Sequence, residues 1–577
     1  MNGKKLNLKW VSETIGEDYK LWNNGDIITI QAQTGTGKTF FITGNDKDKG
    51  LIDYIGDKSL AYICNRIELK RQIKIDLLKK YNELYRIEAD EDTEKNDIIK
   101  IKNYEGKMYF CDLHKLDTLV KVKNIAILSY HGIAEGELDN IYLKRSNNLH
   151  NFDYIVCDEC HFFLTDSDFY NKTHLSFFPI VRLHYPNSKR IFISATMDEV
   201  FPTIVAAYEN IHENIDSNIK LWDKYTTGID YSYLNIKYFR DIKSIPKLIK
   251  NDDTDEKWII FVTSKEIGNK LRESLLNNGI SSEFIHAKNN SSEKKNITSS
   301  GEFESKVLIS TKCLDNGVNI KDDSVNNVII MAHDKTTFIQ ELGRIRIKVN
   351  DSRDVNLFIP MLDKRTFLGK LNLYKDKDEQ LKLLSENQVK FKRKFNDDLI
   401  RLKTDLFYLN ESGDWKINQL GHARLTKDKN FAKYMIARFE GYIEMIDGNF
   451  EFIENNEDKF AYIKEQLEWL GLEYTFDIEN LIKDIVDNEE VKKLKNYLES
   501  IEGKKLFGED QQELSNLVIR ELITIGKDTD YRVKKLKPST LEKIIRNQLE
   551  LNYVVSKSKK ESKGELRGKR YIIIKRF

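Results

Sequence analysis

The stretch Ala32-Gln33-Thr34-Gly35-Thr36-Gly37-Lys38-Thr39 constrains this chain more than any other. It follows an apolar run, Ile27-Ile28-Thr29-Ile30, that reads as a strand, and Phe40-Phe41-Ile42 begins a helix. Strand, glycine-rich turn and helix in that order make a phosphate-binding loop. The glycines let backbone N–H groups crowd around a phosphate. The Lys38 ammonium reaches the outer phosphates, and the Thr39 hydroxyl is placed for Mg2+.

The loop needs a sheet behind it, and the chain supplies further apolar runs. Leu60–Cys64 is a short strand, and Asn65-Arg66 opens a helical pattern through about Tyr81. Ile125–Tyr130, Tyr154–Glu159 and Arg190–Thr196 read as more strands. Residues 85–123, polar around Met108-Tyr109-Phe110, read as an insertion. Short apolar strands separated by helical stretches indicate a parallel sheet covered on both faces. A second unit repeats the pattern with strands at Lys257–Val262, Phe284–His286, Val307–Ser310, Val328–Met331 and Val355–Ile359, and a helix over Ser264–Asn277. The polar stretch 212–230 is the expected hinge.

Beyond about residue 370 the chain is Lys/Glu-rich and reads as helical, with a long charged helix over 378–403. At the end, Ser539–Asn547 looks like a capped helix, followed by strands at Tyr553–Val555 and Tyr571–Ile574. Residues 551–577 hold nine Lys/Arg against two Glu, whereas the whole chain is nearly neutral at +1. Any grip on nucleic acid must therefore come from local patches. This end is either a winged helix or a solvated basic tail. The expected division is 1–215, 225–370, a helical region 371–505 and a basic module 506–577.

Five cysteines, Cys64, Cys111, Cys157, Cys160 and Cys313, in 577 residues fit a reduced compartment rather than a disulfide framework. Cys157 and Cys160 lack a second pair at zinc-ligand spacing, so no metal is expected there. No signal-peptide pattern follows Met1, and no run approaches ~18 apolar residues. The expectation is a cytoplasmic protein with no membrane partner.

Asp158-Glu159 closes a buried strand downstream of the loop. Two jobs need two carboxylates: Asp158 to hold Mg2+, and Glu159 to orient and deprotonate an attacking water. Together with residues 32–39 they outline a nucleoside-triphosphate hydrolysis site.

In these motifs the chain resembles superfamily 2 helicases, in their DExH branch. Ala32–Thr39 matches motif I, Asp158-Glu159-Cys160-His161 motif II, and Ser194-Ala195-Thr196 motif III. Asn65–Gln72 looks like motif Ia, Leu128-Ser129-Tyr130-His131 motif Ib, and Ile260–Ser264 motif IV. Ser310–Ile320 matches motif V and Gln340–Arg346 motif VI. The resemblance covers roughly residues 20–360. It implies two tandem RecA-like domains with ATP and Mg2+ between them.

On that resemblance Thr34, Gly35, Thr36, Gly37, Lys38, Thr39, Asp315, Gly317 and Gln340 would hold the nucleotide. Thr39 and Asp158 would hold Mg2+. Arg344 and Arg346 would stabilise charge on the transferred phosphoryl group. The last arginine of motif VI falls one residue early, at Arg346, so a surface ion pair is the alternative for it. His161, Ser194 and Thr196 would couple hydrolysis to the strand, with a plain hydrogen-bonded histidine as the alternative for His161. Arg66, Ser129, Tyr130, Ser264 and Thr311 would face the nucleic-acid backbone. Residues 1–30 contain no Gln, so the adenine-reading glutamine motif is missing; Tyr19 or Trp22 could stack on a base instead, with core packing the favoured use of Trp22.

The expected activity is an ATP-dependent nucleic-acid translocase or helicase. DNA is favoured over RNA, on the missing glutamine motif and the winged-helix outline. The alternatives are an RNA helicase and an ATP-driven remodelling switch. Replication, repair or defence proteins would be its partners.

Overall fold

Each apolar run downstream of the phosphate loop becomes a buried strand. The computed structural model describes residues 5–138, 149–168, 170–181, 187–214, 219–239, 242–286, 297, 301–312, 320–350, 352–395, 402, 405–410, 412–444, 450–452, 458–472, 489–524, 535–549, 551 and 553–576. The strands of the first half are β1 (Ile27–Gln31), β2 (Leu60–Ile63), β3 (Ile98–Lys102), β4 (Met108–Asp112), β5 (Lys121–Val122), β6 (Ile125–Leu128), β7 (Tyr154–Asp158), β8 (Lys189–Ser194) and β9 (Leu221–Thr226). Seven of them form one sheet, in the order β5-β6-β2-β7-β8-β1-β9. Only β5 runs antiparallel to its neighbour. Residues on both faces of the central strands are buried, as helices above and below a parallel sheet require.

The register of this sheet builds the site. Gln31 of β1 lies beside Ser194 of β8, and Asp158 of β7 beside Ile193. The loops leaving β1, β7 and β8 therefore emerge side by side at the carboxyl edge, where open α/β sheets bind ligands.

The second sheet is wholly parallel. It contains β10 (Leu234–Phe239), β11 (Lys257–Phe261), β12 (Ser282–Ile285), β13 (Val307–Ser310), β14 (Val325–Ile330) and β15 (Val355–Pro360), in the order β10-β15-β14-β11-β13-β12. Two tandem parallel sheets followed by a largely helical region is the fold class that the sequence implies.

Two expectations need correction. Residues 221–226 of the expected hinge are strand β9, paired to β1 at the edge of the first sheet. Trp222 and Tyr225 hold them there: the Trp222 indole donates to Asp26 Oδ2 (2.9 Å), and Tyr225 is 2% exposed. The crossing between sheets is confined to about 227–233.

The described part of the long helix expected over 378–403 falls on two helices, Lys364–Glu386 and Gln388–Phe395; residues 396–401 and 403 of that span lie outside the described residues. Asn387 leaves helical geometry (φ −152°, ψ 84°), and its side chain accepts the Lys390 N–H at 2.9 Å, capping the second helix. The region after 371 also carries two small antiparallel hairpins, β16 (Phe407–Leu409) with β17 (Trp415–Ile417) and β18 (Tyr442–Glu444) with β19 (Phe450–Phe452). The insertion at 85–123 is ordered around the β3–β4 hairpin, which packs Ile101 and Cys111 onto the first core.

One helix of the accessory region, Gln419–Phe439, ties the two sheets together. Its Leu420 belongs to the first domain's apolar cluster, with Cys157, Phe163 and Phe177. Its Met435 and Phe439 belong to the second domain's cluster, with Phe338 and Trp469. Polar contacts also reach both domains. The Asn418 amide oxygen lies 3.1 Å from His174 Nδ1, Lys427 pairs with Glu199, and Arg424 lies 3.7 Å from Asp334.

The C-terminal module has its own core. Helices Glu489–Ile501, Gly508–Thr524 and Pro538–Lys543 pack Leu498, Leu514, Val518 and Leu541 against Ile572 and Ile574 of a small sheet. That sheet joins β20 (Lys505–Leu506), β23 (Arg570–Arg576) and β21 (Tyr553–Val555) in that order, with β22 (Lys559–Lys560) on β23, all antiparallel. Helix, strand, two helices and a strand pair is the outline of a winged helix. A solvated tail does not bury Ile574 completely. Among the described residues no helix is long and apolar enough to cross a membrane.

Candidate active site

The phosphate loop has the backbone that its glycines permit. Gly35 and Gly37 sit at φ 93° and 83°, a region that L side chains rarely adopt. Gly37 caps the helix Lys38–Thr43. Thr36 is fully buried, and its hydroxyl donates to the Gln33 carbonyl at 2.7 Å, so its side chain braces the loop from within. The Gln33 side chain is bound twice to the Asp230 backbone, at 2.8 Å each, which fastens the loop to the crossing between sheets.

Lys38 Nζ lies 2.5 Å from Glu159 Oε1, and both side chains are nearly buried. Glu159 turns out of the strand at φ 49°, which aims its carboxylate at the loop. Burial opposes its ionisation, but the Lys38 charge and His161 together hold its carboxyl below the ordinary range. Burial, then the neighbouring Glu159 charge, pushes Asp158 the other way.

Asp158 is held at three points. Its Oδ1 accepts the Glu159 N–H (3.0 Å), its Oδ2 accepts the Tyr62 hydroxyl (2.5 Å), and its carbonyl accepts the Tyr130 hydroxyl (2.9 Å). The Tyr62 phenol also meets the Thr39 hydroxyl. A hydroxyl and a carboxylate converging at one point are the hard oxygen donors that Mg2+ takes, so Thr39 and Asp158 fit that ion.

His161 is 3% exposed. Its Nδ1 lies 3.1 Å from Ser194 Oγ and 3.3 Å from Glu159 Oε2. Ser194 Oγ in turn accepts the Thr196 N–H at 3.1 Å. Glu159, His161, Ser194 and Thr196 thus form one chain of contacts from the nucleotide loop to the start of the helix Met197–Asn214. Burial lowers the His161 pKa, with the Glu159 carboxylate opposing.

The second sheet closes over this group. Helix Lys335–Leu342 follows β14 and delivers Gln340, Arg344 and Arg346 to the cleft. Gly343 presses so close to the loop that a Cβ there would meet Thr34 Oγ1 at 2.4 Å. Arg344 is buried and bonds its own helix, Nε to the Gln340 carbonyl and Nη2 to Gln340 Oε1, each at 3.0 Å. Arg346 lies within the fields of Arg344, Glu159 and Asp158, and burial lowers its pKa to about 10, which leaves it cationic at neutral pH. The Arg346 N–H donates to Ile320 (3.1 Å), and Ile320 N–H to Arg344 (2.8 Å), so motif VI is laced to the end of motif V. Asp315 and Gly317 lie outside the described residues.

The residues assigned to the strand-facing surface separate. Arg66 reaches the top of the first sheet but pairs with Asp166 at 2.9 Å and lies over the Phe162 ring. Lys312, at the end of β13 on the second sheet, acts on the same Asp166. Thr311 and Ser129 are partly exposed on that side. Ser264 is partly exposed and caps the helix Lys265–Asn277. Tyr130 is a correction: it is 2% exposed, packs on Phe163, and uses its hydroxyl on motif II, so it has no surface to offer a strand. Trp22, 3% exposed and bonded to Tyr225, is core rather than a base platform.

Sequence reasoning missed Tyr62, because Leu60-Ala61-Tyr62-Ile63 reads as a uniformly buried strand. It also missed the closeness of Gly343 to the loop, which is a relation between distant segments, and the bridging helix. A cavity of about 210 Å³ between that helix and both sheets is lined by His161, Glu199, Asp334, Arg424, Lys427 and Trp469.

Two family models match the chain. Residues 6–199 match the type III restriction enzyme res subunit, and residues 240–348 match the helicase conserved C-terminal domain. Two curated relatives are pre-mRNA-processing ATP-dependent RNA helicases PRP5. That of Kluyveromyces lactis is 27% identical over 161 residues, which is 28% of this chain and 19% of the relative. That of Candida glabrata is 25% identical over 219 residues, 37% of this chain and 25% of the relative. The chain thus spans about a fifth to a quarter of the length of these relatives. Similar solved structures include Saccharomyces cerevisiae Dbp5 bound to RNA and ADP BeF3, at 16% identity and a TM-score of 0.37 over 63% of this chain and 90% of that one. Another is the Mycobacterium smegmatis helicase Lhr bound to single-stranded DNA and AMP-PNP, at 12% identity and a TM-score of 0.38 over 63% of this chain and 47% of that one. Both matched domains lie in order along the chain and their motifs meet in one cleft, which supports a superfamily 2 helicase.

Proposed function

We propose that the chain is an ATP-dependent nucleic-acid helicase or translocase that hydrolyses ATP in the cleft between its two parallel sheets. The observation that carries this reading is the convergence of Lys38, Asp158, Glu159 and Arg346, drawn from both sheets, around the phosphate loop. Lys38 and the backbone N–H groups of the loop would take the phosphates, with Thr34–Thr39 and Gln340 around them. Thr39 and Asp158 would hold Mg2+, which neutralises phosphate charge when bound. Glu159, kept ionised, would accept the proton of the attacking water. Arg346 would supply transition-state charge from the opposite sheet, with Arg344 organising the helix end beside it.

Half of this charge sits on the other domain, so hydrolysis requires closure. Closure and opening would alter the grip on a strand lying over both domains. The link Glu159–His161–Ser194–Thr196 is the route we assign to that coupling, and the His161 side chain in it supports a reading in the DExH branch. Arg66, Ser129, Ser264 and Thr311 would contact phosphate and sugar, which position a strand without reading sequence. The working division remains a first domain, now extended to Thr226, a second domain to about 370, an accessory region, and the basic module 506–577.

The DNA preference drawn from the sequence gives way to RNA, because both curated relatives are RNA helicases. DNA remains the second reading on one observation: residues 6–199 match a restriction-enzyme subunit family. Steady-state ATPase with single-stranded RNA, duplex RNA, single-stranded DNA and duplex DNA decides between them. RNA should stimulate turnover most; stimulation by DNA alone would reverse the assignment, and indifference to all four would remove the motor reading.

A further inference from the structure

The C-terminal module ends in a ribbon whose charge the fold does not use. Between β21 and the end of the wing, residues 557–570 present Lys557, Lys559, Lys560, Lys563, Arg567, Lys569 and Arg570, all exposed. The wing's two acids do not offset them. Glu561 is drawn inward to Lys505 at 2.5 Å, and Glu565 stands by itself near the tip.

The register makes the repulsion explicit. Lys560 lies directly across the ladder from Arg570, and Lys559 across from Tyr571. Like charges directly opposite in an antiparallel pair destabilise it. An anion between or beside them reverses the sign of that term. The wing is thus a ribbon that folds under self-repulsion and is relieved by external negative charge.

The recognition-helix position is different. Helix Pro538–Lys543 and its continuation Ile544–Gln548 carry Lys543 and Arg546, but Glu542 sits 3.5 Å from Arg546 and lowers the local charge. In addition, no aromatic residue occurs from 556 to 570. Tyr571, at its base, lies against Phe507 and under the Lys505 ammonium. Single strands are held by stacking on aromatic rings, so a wing without rings suits a stacked duplex gripped through its phosphates.

We propose that the wing, residues 557–570, is a sequence-independent grip for the phosphate backbone of duplex nucleic acid. The flanking helix does not make this contact. It would hold the duplex ahead of or behind the cleft while the two sheets act on a strand. The inference rests on the nucleic-acid reading above and assigns it a second, separate surface.

The test uses the full chain carrying Lys560→Gln, Lys563→Gln, Lys569→Gln and Arg570→Gln together, all exposed positions. A helix control carries Lys537→Gln and Lys543→Gln. Binding to a blunt 30-base-pair duplex, DNA in one arm and RNA in the other, is titrated at several salt concentrations. The wing variant should bind either duplex at least about tenfold more weakly, and its log K against log salt slope should flatten by about 2–4. The helix control should match wild type, and basal ATPase without nucleic acid should match in all three. An unchanged duplex affinity and slope in the wing variant overturns the proposal, as does loss of binding in the helix control alone. Loss of binding to phosphatidylserine vesicles with duplex binding intact also overturns it, in favour of a membrane surface. If wild type binds no nucleic acid and its ATPase is unmoved by any, the parent reading fails; if single strands still stimulate ATPase, only the wing assignment does.

Discussion

Gly343 measures how tightly the cleft must close. Its missing side chain lets helix Lys335–Leu342 rest on the phosphate loop. A Cβ at this position would meet Thr34 Oγ1 at 2.4 Å, Thr34 Cβ at 3.0 Å and the Ile339 carbonyl at 3.2 Å. Rotating the Thr34 hydroxyl relieves the first contact but not that with Thr34 Cβ; the Ile339 carbonyl belongs to Gly343's own helix and is not part of the closure. Gly343→Ala should therefore cost the closed form about 1–3 kcal/mol, as overpacking does. If hydrolysis proceeds only from the closed form, turnover falls about 5- to 150-fold. Nucleotide binding to the loop of the first domain should change far less, and the melting temperature little, because the strain is removed by opening. Steady-state ATPase and fluorescent-nucleotide binding read the two effects separately. Thr34→Ala removes the closest atom, so the cost of Gly343→Ala should shrink in that background, a coupling a double-mutant cycle detects. Turnover within twofold of wild type in Gly343→Ala would refute the argument that the two sheets must meet at this point.

Other perturbations test neighbouring contacts. Glu159→Gln should lower ATPase about 10²- to 10⁴-fold, the usual worth of a positioned base, while nucleotide binding persists; a loss under tenfold would remove Glu159 from that role. Tyr62→Phe leaves the buried Asp158 Oδ2 without its donor, at a cost of about 1–3 kcal/mol in stability. It should also raise the Mg2+ concentration needed for nucleotide binding, and an unchanged Mg2+ titration would refute its positioning role. Burial lowers the pKa of His174 to about 4, with Asn418 opposing. A histidine whose folded pKa is depressed supports the fold above its unfolded value near 6.5 and loses that support as pH falls toward 4. The contribution at stake is up to roughly 3 kcal/mol. The melting temperature should fall between pH 7 and pH 5 more steeply in wild type than in His174→Gln; parallel curves would contradict the assignment.

What was legible in the sequence followed from local pattern. Ile27–Ile30 before a glycine-rich turn identifies a strand and its loop without any partner strand in view. Asp158-Glu159 identifies the second half of the site because the strand that carries it is uniformly apolar. Register was not legible: that Gln31 lies beside Ser194 follows from sheet pairing, which no single run contains. The same holds for Tyr62, whose hydroxyl matters only once β2 lies next to β7. Residues 221–226 read as a polar connection because Asp223 and Lys224 face outward on an edge strand, while Tyr225 is buried beneath them. Tyr130 was misplaced because its position in a motif says nothing of which way its ring turns.

The bridging helix Gln419–Phe439 was invisible for another reason. Its two ends are buried in different cores, Leu420 in one and Met435 in the other, so neither end shows a single helical stripe. It limits how far the sheets can part while the helix stays seated, and links the accessory region to the same motion that closes the site.

The central claim is that hydrolysis needs charge from both sheets at once. Arg346→Ala tests it most directly, with Lys38→Ala as the reference. ATP hydrolysis is measured with saturating single-stranded RNA, and nucleotide binding in parallel. The account predicts that both variants lose nearly all turnover, while Arg346→Ala still binds nucleotide through the first domain. Turnover in Arg346→Ala near the wild-type rate would show that the second sheet adds no charge to the reaction, and the site would then belong to one domain alone.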